Sequence, residues 1–217
     1  MKLRRTVSGI AAGLVAGLLG TTFAAAPANA QTTALGERSL AAVLTSDGNQ
    51  FDRNWYDYDI VTEAVLAVLA AKPNSPVKLL TDGSVPLTAF IPNDRAFQLL
   101  VRDLTGRWIW SEKGVFSKLV DAVGVDAIEN VLLYHVVPGA TILAKDALKA
   151  DGATLATALP GAGITVQVKS RVFKLIVLKD LDRNDANPLV NPFALDINKG
   201  NKQVAHGILL VLRPADL

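Results

Sequence analysis

"TAFIPNDRAF", Thr88–Phe97, decides the fold. Leu87 to Ile91 reads as a short strand behind Pro86, and Pro92-Asn93-Asp94 reads as a turn into a helix. In that helix Phe97, Leu100, Val101 and Leu104 share one face, and Gly106 is its stop.

Upstream, Ile60 to Ala71 is apolar almost all round, which predicts a buried helix capped by Asp59 and ended by Lys72-Pro73. Before it, "FDRNWYDYD" interleaves Phe51, Trp55, Tyr56 and Tyr58 with Asp52, Asp57 and Asp59, and Leu40, Val43 and Leu44 repeat at helical spacing. Downstream, Phe116, Leu119, Val120 and Val123 predict a helix that stops at Gly124. Asp126 and Glu129 then form a capping-box-like pair ahead of Ile128, Val131, Leu132 and His135, which places His135 on an apolar helix face. Beyond Pro138-Gly139 the pattern changes to strand. Ile164, Val166 and Val168 alternate with polar residues, a turn at Ser170-Arg171 leads to a second run from Val172 to Leu178, and Ile208, Leu210 and Leu212 alternate near the end. The expectation is an α+β fold, with N-terminal helices packed on a largely antiparallel β core.

Residues 1–30 have a basic start, an uncharged Ala/Gly/Leu stretch and a small-x-small end at Ala28-Asn29-Ala30, the three parts of a cleaved signal peptide. A retained membrane anchor fits less well: Ala, Gly and Thr dominate, Pro27 sits near the end, and no basic stop-transfer cluster follows. Arg4-Arg5 leaves Sec and twin-arginine export both open. Residues 31–36 are expected to be a mobile N-terminus and 37–217 a single domain. Cleavage would leave 19 of the 22 basic residues and all 20 acidic ones, so the mature protein is near neutral. That balance offers no basic surface for nucleic acid or an anionic membrane. The absence of cysteine excludes disulfides and a lipoprotein anchor, and the composition suits an exported bacterial protein.

No catalytic constellation emerges. The two histidines lack i+3 or i+4 histidine partners, and neither a G-x-S-x-G elbow nor a phosphate-binding glycine loop occurs. No catalytic residue and no cofactor is therefore expected. A metal candidate is Asp180, Asp182 and Asn184, at positions one, three and five of an EF-hand-like loop. Asp185 replaces the required glycine and Asn191 the closing glutamate, so a solvated loop is the competing reading. Trp108 and Trp110 either form a sticky exposed patch or cover a core edge.

Three segments together resemble the fasciclin domain family. Thr88, Phe90, Pro92, Asp94, Ala96 and Phe97 follow the form T-x-F-x-P-x-(N/D)-x-A-F. "VLLYHVVPG" resembles the Tyr-His segment through Tyr134 and His135, and the final segment is similar through His206, Ile208, Val211, Leu212 and Pro214. In that last segment Gly207 replaces an apolar residue, Leu209 replaces an acid, and one extra residue precedes His206. The resemblance implies a wedge of strands flanked by helices, and a secreted or surface-attached adhesion role without catalysis. It implies interaction residues at Tyr134, His135, Asp196 and Ile197, facing an extracellular protein, polysaccharide or cell-surface component. The residues themselves favour buried, hydrogen-bonded histidines. The alternative function is a carrier of a small apolar ligand such as a carotenoid or lipid, which exposed Trp108 and Trp110, or an apolar cleft beside Phe90 and Phe97, would suit.

Overall fold

A computed structural model describes residues 34–46, 48 and 51–215; the segment read as a signal peptide lies outside the described residues. The elements in order are α1 (Leu40–Leu44), α2 (Asp59–Ala71), a 3-10 turn (Pro76–Thr81), β1 (Leu87–Pro92), α3 (Asp94–Thr105), α4 (Glu112–Tyr134), β2 (Val136–Pro138), α5 (Ala144–Ala147), β3 (Thr154–Ala156), β4 (Gly163–Ser170), β5 (Leu175–Lys179) and β6 (Gln203–Ile208). From Ala34 onward the chain forms one compact unit. Its ties begin at Gly36, whose N–H donates to Gly200 O and whose carbonyl accepts from the Lys202 N–H.

The strand–turn–helix at the centre forms for the reasons its residues suggest. The Asn93 side chain accepts from the Ala96 N–H at 3.0 Å, and Gly106 closes α3 in the left-handed conformation at φ 70°. Helix α2 differs from expectation. Tyr58 holds the N-cap position without a side-chain capping bond, and Asp94 takes over, accepting the Ile60 N–H at 2.9 Å. Asp59 becomes the first helical residue, so the start of α2 is capped from α3. Gly124 also acts differently. It breaks α4 at φ 75° and ψ 168°, after which the helix resumes at once. Asp126 and Glu129 form no capping box; both bind Lys72, at the end of α2.

Two three-stranded sheets follow, ordered β2-β1-β6 and β3-β4-β5. The second is antiparallel throughout, with Val166 opposite Leu178. The first is mixed: β1 runs antiparallel to β2 but parallel to β6, with Phe90 opposite His206. The alternation expected through Leu212 ends at Ile208: β1 turns into α3 after Pro92, and beyond that point the Leu209 N–H donates to Leu189 O instead.

Strand β1 separates two cores. Leu87, Ala89 and Ile91 face the helical side with Ile60, Val65, Phe97 and Leu132. Phe90 joins the other side, with Tyr134, Ile164, Val166, Leu178 and Ile208.

Candidate functional site

The Tyr-His segment lies where α4 ends against the sheets. His135 is the C-cap residue and is buried. Its Nδ1 donates to Val131 O at 2.6 Å, which leaves Nε2 to accept the Leu212 N–H at 3.0 Å. Burial pushes its pKa down to about 4, so the ring is neutral at physiological pH. Tyr134 is fully buried, donates to Gly163 O at 3.0 Å, and has its pKa pushed up to about 12 chiefly by burial. Both side chains thus join the helix to strands and the chain end, and neither reaches the surface.

His206 uses the opposite tautomer. Its Nε2 donates to Ile142 O at 2.9 Å, and its Nδ1 accepts the Asp196 N–H at 3.2 Å. Burial lowers its pKa, although the Ile142 bond and nearby Asp196 work against that. Phe90 links the two histidines: its N–H donates to His135 O, and its ring centroid lies 5.9 Å from that of His206. Thr88 receives the Ile142 N–H and donates to Ala140 O. Of the motif residues, Thr88, Phe90 and Pro92 lie on β1, Asp94 and Phe97 on α3 and His206 on β6, all of them buried. Asp196 and Ile197 form a corner beside His206. Asp196 stands at φ 56° with 22 % of its side chain exposed and accepts the Ala144 N–H, while Ile197 bridges to Ala205.

The loop carrying Asp180, Asp182 and Asn184 is organised around a cation of the protein itself. Asp180 accepts the Arg213 N–H, and the Arg213 guanidinium lies against Asp103, Asp182 and Asp185. Asp182 Oδ1 also accepts the Asn184 N–H, as in an ordinary Asx turn. Burial raises the Asp180 pKa to about 6.

The tryptophan pair takes the exposed alternative. Trp108 and Trp110 stack at 5.7 Å with 37 % and 74 % exposure, and the guanidinium groups of Arg95 and Arg102 lie 5.0 and 4.5 Å from the Trp108 ring centre. The arginines come from α3, whose polar face meets the segment after Gly106.

Sequence reading missed one cluster. Asp57, Asp94 and Glu112 each offer a carboxylate oxygen, and these lie within 4.8 Å of one another. A second group, Asp52, Asp57 and Asp59, shares Asp57. Burial drives the Asp94 pKa up to about 8, with Asp57 and Glu112 adding to the rise, and burial likewise raises that of Glu112. The acidic content of "FDRNWYDYD" was the available signal, but Glu112 enters from another helix, and no spacing rule connects the two.

A family model described as Fasciclin domain matches residues 61–212. Among solved structures, the chain is similar to a FAS1 domain pair from the insect cell adhesion molecule fasciclin I. The TM-score is 0.54 at 16 % identity, over 82 % of this chain and 51 % of that one, so the chain spans about half the length of the pair. No match was found among curated protein sequences. The fold and the junction around Phe90 thus define an α+β domain of the FAS1 type. The chain belongs to the fasciclin domain family, whose members are in general extracellular, non-catalytic adhesion modules. Among the described residues, no helix is long and apolar enough to cross a membrane.

Proposed function

We propose that the chain is exported with cleavage after Ala30 and acts as a non-catalytic adhesion module, with the Trp108–Trp110 surface as its contact site. The observation that carries this reading is the stacked pair itself. Large aromatics held at the surface by arginine contacts are preorganised to bind, because their rotamers are already restricted. The partner class is an extracellular protein, polysaccharide or other cell-surface component. Tyr134 and His135 support the fold from within, while Asp196, which solvent reaches, stays a candidate contact residue with Ile197.

The internal spaces argue against the carrier alternative. The apolar cavity beside Phe90 holds about 30 Å³ and that beside Phe97 about 20 Å³, near the volume of one water molecule and far below a ligand pocket of roughly 300 Å³ or more. Two larger hollows, of about 600 and 580 Å³, are rimmed by charges that include Arg102, Asp103 and Arg213 in one and Lys179, Asp180 and Arg183 in the other. The first also carries Leu99, Leu100, Leu210 and Val211, so among the described residues it is the one place where an apolar ligand would have to lie, against a rim of charges.

The test is a binding assay of secreted protein against envelope fractions, matrix proteins and polysaccharides, beside Trp110→Ala. Mass spectrometry of that protein should place its first residue at Gln31. Trp110→Ala should abolish binding while changing stability by no more than about 0.5 kcal/mol, as for an exposed site. Undiminished binding by the variant would refute the surface, and a coloured or lipid-laden protein would restore the carrier reading.

A further inference from the structure

The carboxylates of Asp57, Asp94 and Glu112 are brought together by three local causes. The Asn93 cap makes Asp94 the first residue of α3, and the Ser111 cap does the same for Glu112 in α4. The loop before α2 is fixed to the first turn of α3, because the Asp94 N–H donates to Asp57 O and the Arg95 N–H to Trp55 O. Three helix starts therefore converge on one point, where their backbone dipoles favour negative charge.

Within the cluster, each buried acid uses its two oxygens differently. Asp94 Oδ1 accepts the Ile60 N–H and Glu112 Oε2 accepts the Asp52 N–H at 2.5 Å. The remaining oxygens, Asp94 Oδ2 and Glu112 Oε1, are buried and receive no hydrogen bond from a described residue, in side chains only 0 % and 1 % exposed. An acceptor buried in this way is costly unless something positive meets it. Carboxylates this close also cannot all ionise without a countercharge.

We propose that Asp57, Asp94 and Glu112 form a binding site for a divalent cation of the hard, oxygen-preferring class, with calcium as the ion that fits best. Every donor is a carboxylate oxygen, with no thiolate or imidazole to favour zinc or copper. The ligands come from a loop and two helix starts, an irregular set that calcium accepts more readily than magnesium, which demands a near-ideal octahedron. Asp52 is exposed and Asp57 half-buried, so the second acid group leads from solvent to the buried pair and supplies further oxygens. The site is separate from the Asp180–Asp182 loop, where Arg213 provides the positive charge.

The experiment uses the chain stripped with EDTA at pH 7.5. Calcium binding is read by equilibrium dialysis and thermal melting, and terbium luminescence sensitised by Trp55 reports the location. Asp57→Asn and Glu112→Gln keep side-chain shape and hydrogen-bonding oxygens, so both variants should fold. The expected result is one calcium per chain, with Kd on the order of 0.1–1 mM as in extracellular modules. A calcium-dependent rise in melting temperature should accompany it, and both should be lost in each variant, with Asp57→Asn melting no lower than the wild type in EDTA. Asp180→Asn should leave binding unchanged. Two outcomes overturn the site. One is no binding of calcium, magnesium or manganese at about 10 mM, a concentration well above the range for extracellular modules, which would leave a proton as the shared positive charge. The other is binding that survives both Asp57→Asn and Glu112→Gln.

Discussion

His135 accepts the Leu212 N–H through the ring nitrogen that protonation would occupy, so its charge state is coupled to folding. Its folded pKa, about 4, lies below the ordinary 6.5, and the unfolded chain therefore takes the proton first. The stabilisation is complete above about pH 6.5 and is lost as pH falls toward 4, a loss of about 3 kcal/mol over that window. His135→Leu cannot accept the Leu212 N–H and should lower stability at pH 7 by about 1–3 kcal/mol in urea denaturation. The gap between wild type and variant should narrow toward pH 4 as the His135 contribution is lost, while Asp94, Asp180 and His206 titrate in both and cancel from the difference. A gap that stays constant with pH would show that the imidazole is not held neutral. Gly207 makes a second prediction. A Cβ there would lie 2.5 Å from the Tyr58 hydroxyl and 2.8 Å from Ala194 Cβ, so this chain has glycine where the family pattern has an apolar residue. Gly207→Ala should cost about 1–3 kcal/mol, with part recovered by adding Tyr58→Phe in a double-mutant cycle. Strict additivity would show that the two do not compete for the same space.

At the scale of elements, what could be read from sequence was local. The β1–α3 unit, with its Asn93 cap and Gly106 stop, follows from residues adjacent in the chain, and so do the faces of α2 and α4. The pairing of β1 with β6 was not readable, because no adjacent turn sets its parallel register; Gln203 helps to hold it. That buried amide accepts the Leu40 N–H and donates to Leu79 O and Asp82 O, tying β6 to α1 and to the 3-10 turn. The α2 cap was misplaced for the same reason: Asp59 is adjacent in sequence, but Asp94 is adjacent in space. Gly124 was correctly a breaker, although α4 continues past it. Its φ of 75° with ψ of 168° lies in a region that is essentially glycine-only, so Gly124→Ala should cost about 1–3 kcal/mol through backbone strain despite the open space around it. An unchanged melting temperature would mean that α4 straightens through this position without loss.

At the scale of the molecule, the sheet β2-β1-β6 stands between the two cores and contributes to both. The candidate site divides along the same line: the motif residues at the junction were legible because each lies in a short pattern, whereas the acid cluster joins three separate segments and needed the fold. A wall shared in this way should couple the unfolding of the two halves. Ile176 is buried in the second core, and the tryptophans Trp55, Trp108 and Trp110 are not part of it. Ile176→Ala should destabilise the protein by about 2–5 kcal/mol, the cost of removing buried methyl groups and leaving a cavity. Because Phe90 in that core and Ile91 in the other are consecutive residues of one strand, tryptophan fluorescence should report the full loss even though its probes lie elsewhere. Fluorescence and far-UV circular dichroism should therefore trace one transition in the wild type and shift together in the variant. If Ile176→Ala instead melts the dichroism signal first and leaves the fluorescence midpoint in place, the two cores fold independently and β1 is only a boundary between them.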